Sequence, residues 1–242
     1  MNTTGHQKLL QTIRAQLTAM AKDDHAHPDK EEPGYADCVR ALNFAESVHT
    51  GVRKDGKTPE FYHQVSILAY LMTQHRNLED PRSVYVAAIL HDTTEDYPEL
   101  EAQVAAMFPK DIANITGLSK VRKGQIVPYT VYFSEMAHNP VTSVVKLVDR
   151  MHNVSTMPGV FKPEKMRKYI DEILKHFLPM AKAARRNFPQ QDAFYELAKS
   201  ELSRKVASHT YFLNEIDRLQ DEIRQLKGEV EHHAEQSAGP YI

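Results

Sequence analysis

The chain has one cysteine, Cys38. A single thiol can neither close an internal disulfide nor build a thiolate-rich zinc or iron–sulfur site, so any bound metal must rest on histidine and carboxylate. The same scarcity suits a reducing compartment. An excess of charge is also missing: 30 Lys and Arg stand against 32 Asp and Glu, a net of −2. Without a positive surplus, coating of duplex nucleic acid through its phosphates is not expected. No apolar run approaches the roughly 20 residues of a membrane-spanning helix. The opening MNTTGHQKLLQTIRAQLTAMAKDD lacks the unbroken apolar stretch of a secretory signal. A cytoplasmic protein with no membrane partner is therefore expected. Glycine is scarce, at 9 residues, and strict apolar–polar alternation is almost absent, which leaves helices. With 41% hydrophobic residues, a chain of this length can bury one good-sized core.

Apolar positions at helical spacing then divide the chain. Leu9, Leu10, Ile13, Leu17 and Met20 line a first helix, which the polar stretch 22–34, with Pro28 and Pro33, must end. A second helix runs from about Tyr35 to His49. The basic segment VRKDGKTPEFYHQ, with Asp55-Gly56 and Pro59, predicts an ordered turn or short β-hairpin near 52–62 leading into HQVSILAYLMTQH. SVYVAAILHDTTED is apolar up to Leu90 and abruptly polar after it, with Pro98 as the latest end. Asn139-Pro140 signals the start of a helix whose stripe is Val141, Val144, Val145, Val148 and Met151. Further helices are predicted over about 163–188 and 191–205. Tyr129, Tyr132 and Phe133 read as core, and the basic run at 121–125 as a solvated loop.

The fold class expected is all-α: a catalytic-sized domain over 1–205 and a helical extension over 206–235. In that extension Phe212, Ile216, Leu219, Ile223, Leu226 and Val230 are spaced 4, 3, 4, 3, 4, a heptad seam with β-branched residues alternating with Phe or Leu. Such a seam favours a two-stranded parallel coiled coil, and hence a homodimer. Its short length leaves equally open a single amphipathic helix folded back on its own domain, and Gly228 weakens the seam.

Thirteen histidines make any single one weak evidence of a site. His91-Asp92 stands out because it ends an apolar helix, where an unpaired carboxylate costs several kcal/mol to bury and calls for a compensating cation. Glu95 and Asp96 follow three and four residues on, crowding further carboxylates onto nearly the same face. Asp149 sits beside an apolar stripe, one helical turn from Asn153. His63 opens a helix after Phe61-Tyr62. Separately, these are an ordinary surface pair and a capping residue as readily as ligands.

Together, His63, His91, Asp92 and Asp149 form an H…HD…D set that resembles the HD superfamily of metal-dependent phosphohydrolases. RKDGKTPEFYH, LHDTTED and VKLVDRMHN, in that order, resemble the three motifs of the hydrolase domain in RelA/SpoT-type alarmone enzymes, over about Tyr35 to Arg185. The resemblance implies an all-α HD fold and removal of pyrophosphate from the 3′ position of (p)ppGpp. It implies Mn²⁺ on His63, His91, Asp92 and Asp149, and Glu95 and Asp96 as the acids that handle the attacking water. Arg53, Lys54 and Asp55 would meet phosphate and base, and Asn153 and Thr156 the nucleoside. His49 matches a family histidine that is not a ligand. The chain departs from the pattern in a longer stretch from Gly56 to His63, in Gln64 where proline is usual, and in Asp55 where serine is common. These departures touch substrate recognition more than the metal. With no room for a synthetase domain, a small single-domain hydrolase is expected. Related small hydrolases suggest other substrates for the same site: ppApp-like alarmones, NADPH or pyrophosphorylated tRNA. An antitoxin-like nucleotide-binding module without turnover is the reading from a different class.

Overall fold

Local capping chemistry sets where the two helices behind the site begin. Asp80 accepts a hydrogen bond from the Ser83 backbone N–H at 3.0 Å, with Pro81 in the first turn. Asn139 accepts from the N–H groups of Val141 (2.8 Å) and Thr142 (2.9 Å), followed by Pro140. In both cases a side chain satisfies donors the helix leaves bare, and proline gives up an N–H that would have had no partner.

The computed structural model describes residues 3–26, 34–122 and 124–237. In chain order the helices are α1 (Thr3–Ala26), α2 (Ala36–Val48), α3 (Tyr62–Thr73), α4 (Pro81–Leu90), α5 (Thr93–Asp96), α6 (Glu101–Met107) and α7 (Ile112–Gly117). A two-stranded antiparallel ladder, β1 (Val121–Arg122) and β2 (Gln125–Ile126), precedes α8 (Tyr129–Ala137), α9 (Pro140–Thr156), α10 (Pro163–Glu172), α11 (Leu178–Asn187) and α12 (Asp192–Ser237). Helices α3, α4 and α9 pack on one another at the centre, with α2 against α4, and α11 and α12 closing over α9. From Val84 to Leu90, α4 is buried on every side, as is most of α9 from Val141 to Met151. A helix apolar all round belongs in the middle of a core.

Charged side chains enter this interior as well, among them Lys146, Asp149 and Arg150 of α9 and the pair Arg82 and Asp111. Arg82, 3% exposed, donates to both carboxylate oxygens of the fully buried Asp111 (2.6 and 2.7 Å) and also to Asp37. The fork tethers α4 to α2 and to the residue preceding α7.

Several expectations change in detail. The 52–62 segment carries a single antiparallel bridge, Val52 to Pro59, and the ladder with paired strands lies at 121–126, in place of the expected loop. The expected helix through LHDTTED is interrupted at His91-Asp92, so α5 is a separate short helix. The 163–188 helix widens into a π-turn over Ile173–Phe177, just ahead of Pro179, which has no N–H to continue the regular ladder. Helix α12 runs unbroken through 205 and 206 and continues well past the helical body. The prolines at 28 and 33, expected to end the first helix, lie outside the described residues, as does Lys123 of the basic run. Tyr132 and Phe133 are buried as expected.

Candidate active site

Three packed helices deliver the four residues of the H…HD…D set to one point. His63 comes from the first turn of α3, His91 and Asp92 from the end of α4, and Asp149 from the third turn of α9. The Nε2 of His91 lies 3.1 Å from Asp92 Oδ2 and 3.3 Å from His63 Nε2. His63 Nε2 lies 3.2 Å from Asp149 Oδ1 and 3.6 Å from Asp92 Oδ2, and His91 Nε2 lies 3.9 Å from Asp149 Oδ1. A divalent ion with bonds of about 2.0–2.2 Å sets neighbouring donor atoms about 2.9–3.6 Å apart. All but the longest of these distances fall in or at the edge of that range: among the described residues His63, His91 and Asp92 form a close group that fits a metal, and Asp149 approaches it from the side of the two imidazoles.

The ring orientations fit too. His91 donates from Nδ1–H to the Ala88 carbonyl at 2.8 Å, which turns Nε2 toward the other donors. Nδ1 of His63 pairs with Nδ1 of His152 at 2.9 Å, turning its Nε2 inward likewise. Two uncharged imidazole nitrogens facing each other at 3.3 Å gain nothing from that approach unless a cation or a proton sits between them.

Charge in the centre is arranged around the carboxylates. Burial alone would push Asp149 up, but Lys146 Nζ at 3.1 Å from Oδ2, with the two imidazoles, holds it well below the usual carboxylate range. Burial would push His91 down, and the Asp92 and Asp149 carboxylates outweigh it, lifting His91 to about 9. For His63 burial wins and the shift is downward. Burial, then His63 and Arg53, push His152 down to about 3, so it stays neutral.

Asn153, one turn after Asp149, donates from its amide to Asp149 Oδ1, and its Oδ1 accepts from Arg53 at 3.1 Å. That chain joins the metal-fitting centre to the 53–58 loop. Asp55 builds the loop: its carboxylate accepts from the N–H groups of Lys57 (2.9 Å) and Thr58 (2.8 Å) and from the Thr58 hydroxyl. These bonds hold it down to about 2. Gly56 takes φ +69°, which a side chain would resist. The carboxylate is thus engaged within its own loop, while Arg53 and Lys54 line the open side.

Glu95 and Asp96 stand at the exposed rim of the same cleft. Asp96 is pushed up by partial burial and by Asp92, Glu60 and Glu95. Among the described residues, His49, Glu60 and Asp96 form a second close group. His49 donates from Nδ1–H to Glu60 Oε1 (3.3 Å), its Nε2 lies 3.2 Å from Thr93 Oγ1, and it is not in the group formed by His63, His91 and Asp92. Glu60 reaches this position because residue 51 is glycine: a Cβ there would stand 2.9 Å from Glu60 Oε2.

The cleft holds about 880 Å³. Besides the expected residues, it is lined by Lys120, Lys146, Arg150, Phe161 and Tyr169. Lys120 and Phe161 escape a sequence reading because they lie in loops with no periodic signal. Lys146 carries a usable signal in its place three residues before Asp149. Thr156 faces the cleft, its hydroxyl bonded back to the His152 carbonyl at 3.1 Å.

No protein-family model matches the chain. Over 181 residues it is 28% identical to a probable guanosine-3′,5′-bis(diphosphate) 3′-pyrophosphohydrolase of Synechocystis, covering 70% of this chain and 23% of that protein. It is 29% identical over 147 residues to the Haemophilus influenzae guanosine-3′,5′-bis(diphosphate) 3′-pyrophosphohydrolase, covering 57% and 21%. To the bifunctional (p)ppGpp synthase/hydrolase SpoT of Escherichia coli it is 27% identical over 151 residues, covering 59% and 21%. The chain spans under a quarter of the length of each. Over more than half its length the chain is thus similar to RelA/SpoT-type hydrolases, and its own H…HD…D residues meet at one point in the fold.

Proposed function

We propose that the chain is a metal-dependent phosphohydrolase that releases pyrophosphate from the 3′ position of (p)ppGpp, giving GDP or GTP. The observation that carries this reading is the convergence of His63, His91, Asp92 and Asp149, with donor separations that suit a divalent ion, beside Glu95 and Asp96. The printed activity of the similar proteins supports it. The donor set, two nitrogens and two oxygens without sulfur, suits Mn²⁺. A reducing, cytoplasmic setting suits the single buried thiol, and no helix of the described residues is long and apolar enough to cross a membrane.

Held by the four donors, the ion would make water more acidic and draw off phosphoryl charge. The remaining work falls to side chains. Glu95 or Asp96, at the rim, takes the proton of the attacking water. Lys146 and Lys120 on one side, with Arg53 and Lys54 on the other, face the phosphates and offset charge that builds as the bond breaks. Arg53, already oriented by Asn153, can lay its planar guanidinium on a purine, and Phe161 offers a second flat surface. Asn153 and Thr156 are left for the nucleoside. The helical body is the catalytic unit, and the partner of the protruding α12 is a second copy of the chain.

The test is to incubate the purified chain with ppGpp and Mn²⁺ and separate the products. GDP and pyrophosphate in equal amounts are expected, and absence of both refutes the reading. The 53–63 region favours keeping a second substrate class in the same assay: the Asp55 carboxylate is tied up within its own loop, and the stretch from Gly56 to His63 is longer than in the family pattern. A ppApp-like alarmone, NADPH and pyrophosphorylated tRNA compete in parallel, and preference for any of them would move the assignment within phosphohydrolases.

A further inference from the structure

Helix α12 changes character along its length. Phe194, Tyr195, Ala198, Leu202 and Leu213 are buried against the body, and Arg167 fastens the helix there by donating to the Leu213 carbonyl (3.2 Å) and to Asp217. From Asp217 to Ala234 every residue is exposed. The helix therefore does not fold back on its own domain. It projects for roughly 25 Å at 1.5 Å per residue. Along this projection the heptad residues stay in the open: Leu219 is 48% exposed, Ile223 51%, Leu226 54% and Val230 68%.

We propose that this stripe pairs with the same stripe of a second copy, as a parallel, in-register, two-stranded coiled coil. The seam places Ile216, Ile223 and Val230 at the first apolar heptad position and Phe212, Leu219 and Leu226 at the second. β-branched residues at the first with leucine at the second are the pattern that selects two parallel strands. Charge decides the orientation. The positions flanking the seam on one side are all acidic, Glu215, Glu222 and Glu229, and those on the other are Gln220 and Lys227. In a parallel pair each acidic flank faces the other flank of the second copy, so Glu222 meets Lys227 and Glu215 meets Gln220. In an antiparallel pair glutamates would face glutamates.

The remaining charges suit this use of the surface. Arg218 pairs along the same helix with Glu215 (3.1 Å) and Glu222 (3.3 Å), and Arg224 with Asp221, supporting the helix on its outer faces. Gly228 falls at the position opposite the seam, where an added Cβ would meet nothing within 4 Å, so it does not interrupt packing. Parallel pairing sets both catalytic bodies at the same end of the coil. The inference stands independently of the hydrolase assignment.

The experiment weighs the full chain by light scattering and sedimentation up to about 100 µM. Twice the 27.6 kDa of one chain is expected. Glu222→Lys and Lys227→Glu should each weaken the dimer about tenfold, and the double exchange should restore it. Leu226→Cys should cross-link to itself on mild oxidation, since only parallel in-register strands bring residue 226 beside its own copy; Cys38 is buried and out of reach. All these positions are exposed, so the body should keep its fold, which circular dichroism and melting check. A monomer at every concentration, a higher oligomer, or a dimer with neither restoration nor cross-link would overturn the proposal.

Discussion

Titrating the metal-free chain with Mn²⁺ at pH 7 should release one proton per site. A metal-ligating imidazole must be bare, so cation and proton compete for it. In the unliganded centre, His91 is lifted to about 9 because Asp92 and Asp149 outweigh the effect of burial. His63 is shifted down and His152 lies at about 3, so neither holds a proton at pH 7. The sign follows: below about pH 9 each unit of acid costs the metal about tenfold in affinity, or about 1.4 kcal/mol, and above it the dependence flattens. Between pH 9, where half the protons are already off, and pH 7 the loss is about 50-fold. Calorimetry at pH 7 in two buffers of different ionisation enthalpy counts the protons directly. The same binding should raise the melting temperature by about 5–10 °C at 100 times the dissociation constant, from about 2.7 kcal/mol of linkage, and His63→Ala should abolish that rise. Release of no proton or of two, or an affinity unchanged between pH 7 and 9, would refute the charge assignment.

Other expectations concern single side chains. Glu95→Ala should cut turnover by about 10²–10⁴ while leaving nucleotide affinity within a few-fold, since a proton-handling group acts after binding; equal loss in both would make it a binding residue. Asp96 is held up by partial burial and by Asp92, Glu60 and Glu95. As a base it fails once acid protonates it, so activity should fall on the acid side above the ordinary aspartate range. Glu60→Gln removes one neighbouring charge and should move that limb to lower pH, and an unmoved limb would exclude Asp96 as the group titrating. Asp111→Ala removes the two-oxygen partner of the buried Arg82 guanidinium, 3% exposed, leaves it Asp37 alone, and should cost about 1.5–3 kcal/mol in urea unfolding. A loss below about 1 kcal/mol would mean the pair adds little.

Much of this molecule is legible in the order of its residues. Asn139-Pro140 marks the start of α9 because a cap is a property of neighbouring residues alone. The stripe of α9, the all-helical class and the abrupt polar end of α4 at His91 follow from periodicity, and ordered motifs single out His63, His91, Asp92 and Asp149 through a resemblance. Tertiary structure decided the rest. Whether four donors spread from position 63 to 149 meet depends on how α3, α4 and α9 pack, and that is set by buried contacts between segments distant in sequence. The break after Leu90 and the approach of Glu60 to Asp96 past Gly51 arise in the same way. So do Lys120 and Phe161 in the cleft, since loop residues carry no periodic signal and are placed by what surrounds them. For α12 the heptads are visible in the residues themselves, but only the fold shows that the apolar stripe faces solvent: the body is already covered by the time the helix passes Leu213.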